Sequence, residues 1–277
     1  MREKISTLFL LLCLTISAQQ LVVYKEIDTI QLFLEIRYPE HIDEGNTYPG
    51  MIFFFGGGWI EGNRSHFIHQ ANYFSKRGMV CVLADYRIER NHQSTPFESL
   101  MDAKSAVRFM KKNARKFCID STKIIAVGGS AGGHLAAATA LIQSYNDVSD
   151  DLSISSVPDA LVLFNPVIDN GPGGYGYSRI GEAYKDFSPL HNLKAGVPPT
   201  IIFLGTSDNL IPVETAKYYQ RIMQKLGSRC DLKLYENQPH GFFNHAHFEY
   251  YKKTLSSADL FLQSLGYLSE EPSVKIE

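Results

Sequence analysis

The sequence has few cysteines and no excess of charge of either sign. Its 277 residues include four cysteines, and the formal net charge is -2. The cysteines beyond the N-terminal region, Cys81, Cys118 and Cys230, show no paired spacing, so no disulfide scaffold is indicated. Balanced charge gives no reason to expect a nucleic acid or an anionic membrane surface as a partner.

Long hydrophobic runs are also missing. The apolar stretch at residues 8–14 is too short to span a membrane as a helix. Basic residues precede this stretch and small residues follow it. This pattern predicts an export signal over residues 1–18, cleaved before Gln19, with no stable membrane insertion afterwards and a periplasmic or extracellular location. Lipid attachment at Cys13 is the alternative. A lipoprotein signal resembles a pattern with a small residue directly before the cysteine, and Leu12 occupies that position here.

The remaining composition is that of an ordinary globular protein. Hydrophobic residues make up 44% of the chain and charged residues 20%. A chain of this length can bury one large core, so we expect one domain over residues 19–268. The polar residues 269–277 predict a flexible tail. The sequence does not indicate an oligomeric state.

Eight runs rich in apolar and β-branched residues are typical of strands. They cover residues 21–27, 31–38, 50–56, 79–85, 123–128, 160–167, 200–205 and 231–236. From residue 50 onward they alternate with helical patterns at 66–77, 99–117, 131–145, 213–227 and 247–265. This alternation predicts an α/β fold, a mostly parallel sheet of about eight strands with helices on both faces. The first two runs predict an antiparallel hairpin at the sheet edge.

One stretch interrupts this alternation. Residues 168–196 are rich in glycine and tyrosine and are longer than a plain connection requires. Two interpretations stay open, a lid or substrate-facing loop and an ordinary packed surface excursion.

A serine framed by glycines stands between a strand pattern and a helix pattern. Residues 123–133 read KIIAVGGSAGG, with Ser130 at the apex and Gly128 and Gly132 two residues to either side. A serine held in a strained turn brings backbone close on both sides, where only glycine fits. The G-x-S-x-G spacing therefore predicts a nucleophile at the start of a helix, whose free N–H groups favour an anion.

A serine hydroxyl needs a base and an acid to become a nucleophile. Asp208 follows an apolar strand pattern and His240 lies in a loop after the last one, so both are expected at the carboxyl edge of the sheet. Their chain order after Ser130 predicts a Ser-His-Asp triad. Glu214 is instead expected in a first helical turn, and the remaining competitors, His245 and His247, are expected at the surface near the last helix.

Three glycines end an early strand in the run FFFGGGW at residues 53–59. Backbone N–H groups in such a loop can approach a substrate oxygen with no side chain in the way. We predict an oxyanion hole formed by the amides of Gly57, Gly58 and Ala131.

These motifs resemble the α/β-hydrolase family, in particular the esterase branch that includes hormone-sensitive lipase and bacterial acetylxylan and feruloyl esterases. The resemblance runs through GGGW at 56–59, DYR at 85–87, GGSAGGH at 128–134, GTSDNLIPVE at 205–214 and PHGFFN at 239–244. It implies an exported serine carboxylic-ester hydrolase that removes acetyl or feruloyl groups from carbohydrate, with no metal and no cofactor. One position departs from the family pattern HGGG, because Phe55 replaces the histidine that helps to hold the loop. The loop is then expected to be held by packing.

Aromatic side chains near the glycine loop and the long excursion are candidates for contact with a sugar ring. They are Trp59, Tyr175, Tyr177 and Phe242. The alternative is that they only pack the loops.

Two other functions fit the same residues less well. A chain that resembles the prolyl oligopeptidases would share the triad order, but it would carry a long propeller before the hydrolase domain. This chain is too short for that propeller. A non-catalytic binding module on a hydrolase fold is the third possibility, and the presence of all three triad residue types argues against it.

Overall fold

The computed structural model describes residues 19–43, 45–270 and 274–276. The predicted export signal at 1–18, with Cys13, lies outside the described residues. So do residues 271–273 and 277 of the predicted tail. Within that tail, the apolar side chains of Val274 and Ile276 are partly buried against the core. The prediction of a flexible tail rested on the polar residues around them.

Among the described residues, the sheet has eight strands, as predicted. They are β1 (Gln19–Ile27), β2 (Ile30–Arg37), β3 (Tyr48–Phe54), β4 (Val80–Ala84), β5 (Ile119–Gly129), β6 (Ala160–Phe164), β7 (Thr200–Gly205) and β8 (Cys230–Tyr235). Their order in the sheet is β1-β2-β4-β3-β5-β6-β7-β8. The pairs β1–β2 and β2–β4 are antiparallel and all other pairs are parallel, which confirms both the edge hairpin and the mostly parallel sheet.

Both faces of the sheet are buried. Along β3, Ile52 and Phe54 belong to one apolar cluster, while Met51 and Phe53 belong to a second cluster on the opposite face. Successive side chains of a strand point to opposite faces, so a continuous apolar run is required wherever helices cover the sheet on both sides.

In the described part of the chain, eight helices connect the strands or follow them. They are α1 (Ile68–Lys76), α2 (Glu89–His92), α3 (Pro96–Lys112), α4 (Ala131–Leu141), α5 (Tyr177–Ile180), α6 (Tyr184–Phe187), α7 (Val213–Lys225) and α8 (Phe248–Ser264), with short 3-10 turns at 64–67, 115–117, 181–183 and 189–192. None of the helices in the described part of the chain is long and apolar enough to cross a membrane.

Local chemistry moves two helix ends from their predicted positions. Helix α3 begins earlier than expected because Thr95 and Glu98 form a capping box around its first turn. Helix α4 ends at Leu141, and the buried ammonium of Lys104 donates to the carbonyl oxygens of residues 142, 143 and 144 just beyond it. A cation at a helix C-terminus satisfies carbonyls that have no intrahelical partner.

The excursion at residues 168–196 is folded and has hydrogen bonds between its own residues. It contains α5 and α6, and its two halves are joined by a hydrogen bond from the Leu190 N–H to the Ile168 carbonyl oxygen. The Ser188 hydroxyl accepts from the Asn170 N–H and donates to the same Ile168 oxygen. The segment therefore packs against the domain through its own short helices.

Candidate active site

Ser130 occupies a sharp turn between β5 and α4. Its φ of 54° lies in the left-handed region, which is uncommon for a residue with a side chain. A Cβ on Gly128 would lie 2.0 Å from the carbonyl oxygen of Gly132, and one on Gly132 would lie 2.0 Å from that of Phe54. The glycines at both flanks are thus a steric requirement of the turn, as the spacing predicted.

The structure brings Ser130, His240 and Asp208 into one hydrogen-bonded chain. The Ser130 Oγ is 2.9 Å from His240 Nε2, and His240 Nδ1 is 2.8 Å from Asp208 Oδ2. Because a carboxylate can only accept, Nδ1 carries the proton and Nε2 is left free to accept from the serine hydroxyl. This is the tautomer that a general base for Ser130 requires.

Backbone groups orient the Asp208 carboxylate. Its Oδ1 accepts from the N–H groups of Leu210 at 2.9 Å and Ile211 at 3.0 Å, which leaves Oδ2 for the imidazole. The side chain has 0% exposure, whereas that of His240 is 20% exposed and faces the cleft. Because the buried Asp208 carboxylate accepts hydrogen bonds at both oxygens, it holds the His240 ring in one orientation.

A fourth polar side chain, Asn165, was not identified from the sequence. It follows β6, is fully buried, and has a φ of 34°. Its Oδ1 accepts from the Gly241 N–H at 2.9 Å and its Nδ2 lies 3.3 Å from His240 Nε2. The sequence signal was its place at a strand end on the same edge as Ser130 and Asp208.

The glycine loop follows β3 on the same edge. No hydrogen bond within the described chain engages the backbone N–H groups of Gly57, Gly58 or Ala131, so these donors are available. Gly57 has a φ of 125°, and a Cβ there would lie 2.0 Å from the carbonyl oxygen of Glu61. The arrangement leaves room for a backbone oxyanion hole beside Ser130, while the role of each amide stays a prediction.

Packing holds this loop, as predicted from Phe55, and a hydrogen bond from the loop backbone to another histidine adds to it. The Phe55 ring stacks on Tyr86 at 4.0 Å between ring centroids, and the Tyr86 hydroxyl donates to the Phe55 carbonyl oxygen. The Gly56 N–H donates to His66 Nδ1 at 3.0 Å, and His66 Nε2 donates to Asn244 Oδ1 at 2.7 Å. Burial lowers the pKa of His66, which favours the neutral ring that can accept from Gly56.

A cleft of about 360 Å³ opens at Ser130 and His240. Of the four aromatic residues predicted to contact substrate, only Tyr175 lines it. Trp59 and Phe242 are each 1% exposed and belong to the core, and Tyr177 lies outside the cleft with its hydroxyl on Glu182.

Three of the four predicted rings therefore do not line the cleft, and the loops turn two of these, Trp59 and Phe242, inward. The left-handed φ of Trp59 directs its side chain against His134 and Phe187, while Phe242 packs on Tyr235. The adjacent Phe243 lines the cleft instead. Sequence position alone does not distinguish two neighbouring phenylalanines of one loop.

The competing residues lie elsewhere. Glu214 is exposed and pairs with Lys217 on α7, His245 stacks on His69 at 3.6 Å, and His247 is exposed beside the start of α8. No cluster of three or more His, Cys, Asp or Glu side chains among the described residues is arranged to hold a metal ion.

The fold and the hydrogen-bonded Ser-His-Asp chain define an α/β-hydrolase of the serine-esterase type. Comparison with solved structures agrees. The chain is similar to esterase 2 of Thermogutta terrifontis phosphoramylated by tabun, with 40% identity and a TM-score of 0.88 over 92% of this chain and 97% of that chain. The butyrate-bound form of that esterase gives 39% identity and a TM-score of 0.87 over 92% and 96% of the two chains.

Sequence comparisons point to the same group. The BD-FAE family matches residues 34–172, about half of the chain. An isoprenylcysteine α-carbonyl methylesterase of Arabidopsis thaliana is 26% identical over 75% of this chain and 53% of its own length. An acetylxylan esterase of Xylanibacter ruminicola is 27% identical over 78% of this chain and 45% of its own length. The chain spans about half the length of these curated relatives. It belongs to the BD-FAE family, within the carboxylic-ester hydrolases.

Proposed function

We propose that this chain is an exported serine esterase that removes short acyl groups, acetyl above all, from carbohydrate esters. The observation that carries the proposal is the hydrogen-bonded chain Ser130–His240–Asp208 at the base of a cleft that also contains free backbone N–H groups.

In the first half of the proposed reaction, His240 Nε2 takes the proton of Ser130 as Oγ attacks the ester carbonyl carbon. The carbonyl oxygen gains negative charge and is stabilised by the N–H groups of Gly57, Gly58 and Ala131. Collapse of this intermediate breaks the bond to the alcohol oxygen, which leaves with the proton held by His240.

In the second half, His240 takes a proton from a water molecule, whose oxygen attacks the acyl carbon on Ser130. A second oxyanion forms at the same N–H groups and collapses to release the carboxylic acid. The proton on Nε2 returns to Ser130 Oγ, so the enzyme ends in its starting state. Asp208 stabilises the imidazolium in both halves without being protonated.

The lining of the cleft favours a small acyl group over a feruloyl group. An aromatic ring packs well against aromatic side chains, and two of those first expected to line the cleft, Trp59 and Phe242, are buried in the core. The rim instead carries an exposed ion pair between Glu61 and Arg90 and the half-buried Tyr175. Such polar groups suit an alcohol that bears many hydroxyls, and similarity to an acetylxylan esterase supports a polysaccharide as that alcohol.

Export is part of the proposal and rests on the charge and hydropathy pattern of residues 1–18. Polysaccharide substrates lie outside the cytoplasm, so export would bring the enzyme to this class of substrate. Expression of the full-length chain followed by fractionation and N-terminal sequencing tests it: a mature N-terminus at Gln19 outside the cytoplasm is expected, and an intact chain in the cytoplasm contradicts export.

The activity is tested by measuring hydrolysis of para-nitrophenyl acetate, acetylated xylan and methyl ferulate with the wild type and with Ser130→Ala. We expect acetate release from xylan, little turnover of methyl ferulate, and a loss of about 10⁴-fold or more in Ser130→Ala. Ser207→Ala, which changes an exposed serine next to Asp208, is the matched control. Undiminished hydrolysis in Ser130→Ala contradicts the mechanism, and preference for ferulate contradicts the acyl specificity.

A further inference from the structure

The carbonyl oxygen of Gly58, a residue that lines the cleft, accepts a hydrogen bond from a cation in the excursion at residues 168–196. Arg179 Nη1 lies 2.5 Å from the Gly58 carbonyl oxygen, although Arg179 itself does not line the cleft. A hydrogen bond from a charged donor is roughly twice as strong as a neutral one. It therefore fixes the direction of the peptide between Gly58 and Trp59.

That peptide needs an external partner because its conformation is strained. Trp59 has a φ of 61°, a left-handed value that is unusual for a bulky residue. Rotation of the Gly58–Trp59 peptide by half a turn would return Trp59 to the ordinary negative range of φ. Glycine at position 58 would permit the rotation, since it accepts positive and negative backbone angles alike.

Other contacts place the guanidinium where this hydrogen bond forms. Its central carbon lies 5.2 Å from the centroid of the Trp59 ring and 5.8 Å from that of Tyr175. A Cβ on Gly176 would lie 3.1 Å from the Trp59 ring, so the excursion packs against the indole at close range. The Tyr175 hydroxyl in turn lies over Gly58, 2.7 Å from where a Cβ would stand.

We propose that Arg179 is a positioning residue for the oxyanion loop: it holds the Gly58 carbonyl in place and thereby keeps the neighbouring N–H groups directed at the reacting oxygen. The inference rests on the proposed function for the identity of the reaction. It gives residues 168–196 the role of a fixed brace on the loop, in place of a lid.

The test compares Arg179→Met with the wild type in three measurements. With para-nitrophenyl acetate we expect kcat to fall about ten- to a hundredfold while KM changes by less than about threefold, because the oxyanion develops only in the transition state. A trifluoromethyl ketone, which forms a negatively charged hemiketal oxygen on a serine, should bind more weakly by a similar factor. Acrylamide should quench the fluorescence of Trp59, the only tryptophan, more readily in the variant.

Two further variants serve as controls. Arg229→Met removes a guanidinium that packs over Phe261 at 4.8 Å, far along the chain from the loop, and should leave all three readouts unchanged. Arg179→Lys keeps a cation near Gly58 and should recover part of kcat and of ketone affinity.

Wild-type kcat, ketone affinity and quenching in Arg179→Met would overturn the inference, as would a change confined to KM. A wild-type chain that hydrolyses no ester would overturn the proposed function instead. In that case the quenching measurement still decides whether Arg179 braces the loop, with unchanged quenching in Arg179→Met counting against it.

Discussion

The triad and the glycine loop lie on the same edge of the sheet but are held in different ways. The triad residues contact one another directly, from Ser130 through His240 to Asp208. The loop offers only backbone groups, and side chains distant in sequence, among them His66 and Arg179, hold it in place. The first arrangement concentrates the chemistry in side chains, whereas the second distributes support for backbone donors over several elements.

The triad and the loop should therefore tolerate substitution differently. A change in the triad removes a reacting group or its orienting partner, so its effect should be large and similar for all substrates. A change around the loop leaves every donor in the chain and alters only its direction, so its effect should be smaller and confined to steps that develop an oxyanion.

Among substitutions at the triad and around the loop, Asp208→Asn should have the largest effect. The amide oxygen would accept from Leu210 and Ile211, leaving an NH₂ toward His240 Nδ1 and forcing the ring into the tautomer with a proton on Nε2. That ring cannot accept from Ser130, so kcat for para-nitrophenyl acetate should fall about 10⁴-fold. Glu214→Gln is the control and should be unaffected. Equal losses in both variants would reject Asp208 as the acid of the triad.

His66→Phe should have an intermediate effect. The ring retains its packing against Phe67 and Phe243 but cannot accept from the Gly56 N–H. We expect kcat to fall about tenfold with little change in KM, because an unsatisfied buried N–H costs about 1–3 kcal/mol and loosens the loop. His69→Phe, on the next helix and stacked on His245, is the matched control. The contrast between triad and loop breaks down if His66→Phe loses as much activity as Asp208→Asn.

The third prediction concerns stability beneath the loop, where no reacting group is changed. Burial lowers the pKa of His134, which packs on Trp59, to about 3 from an ordinary value of 6.5. The unfolded chain therefore binds a proton that the folded chain does not, and the free energy of unfolding should decrease as pH falls from 6.5 toward 3. The contribution is about 1.4 kcal/mol per pH unit in that window.

His134→Gln removes this titration while retaining an N–H for the Phe187 carbonyl oxygen, which His134 Nε2 contacts at 3.0 Å. Urea unfolding at several values between pH 6 and pH 4.5 should give a shallower dependence of stability on pH, by about one proton. Identical slopes for the wild type and His134→Gln would show that His134 is protonated in the folded chain as well.

Much of the fold and the triad could be predicted from the sequence, for a physical reason. Strands buried on both faces must be continuous apolar runs, and the steric needs of the turn at Ser130 leave glycines at fixed spacing. Asp208 and His240 followed from their places after strands, because parallel strands gather their carboxyl ends at one edge.

The supports of the loop could not be predicted in the same way. His66 lies ten residues beyond Gly56, and Arg179 lies in an excursion with no regular periodicity. Their roles depend on three-dimensional contact with backbone atoms, which leave no side-chain pattern in the sequence. The same limit explains Trp59 and Phe242, since the direction of a ring in a loop is set by backbone angles such as the positive φ of Trp59.

Covalent labelling with a fluorophosphonate, followed by intact-mass measurement and peptide mapping, tests directly whether Ser130 is the nucleophile. The wild type should gain one adduct per chain on Ser130, labelling should be much slower in Asp208→Asn, and Ser130→Ala should gain none. An adduct on another residue, or equal labelling of Ser130→Ala, would contradict the assignment of Ser130 as the nucleophile.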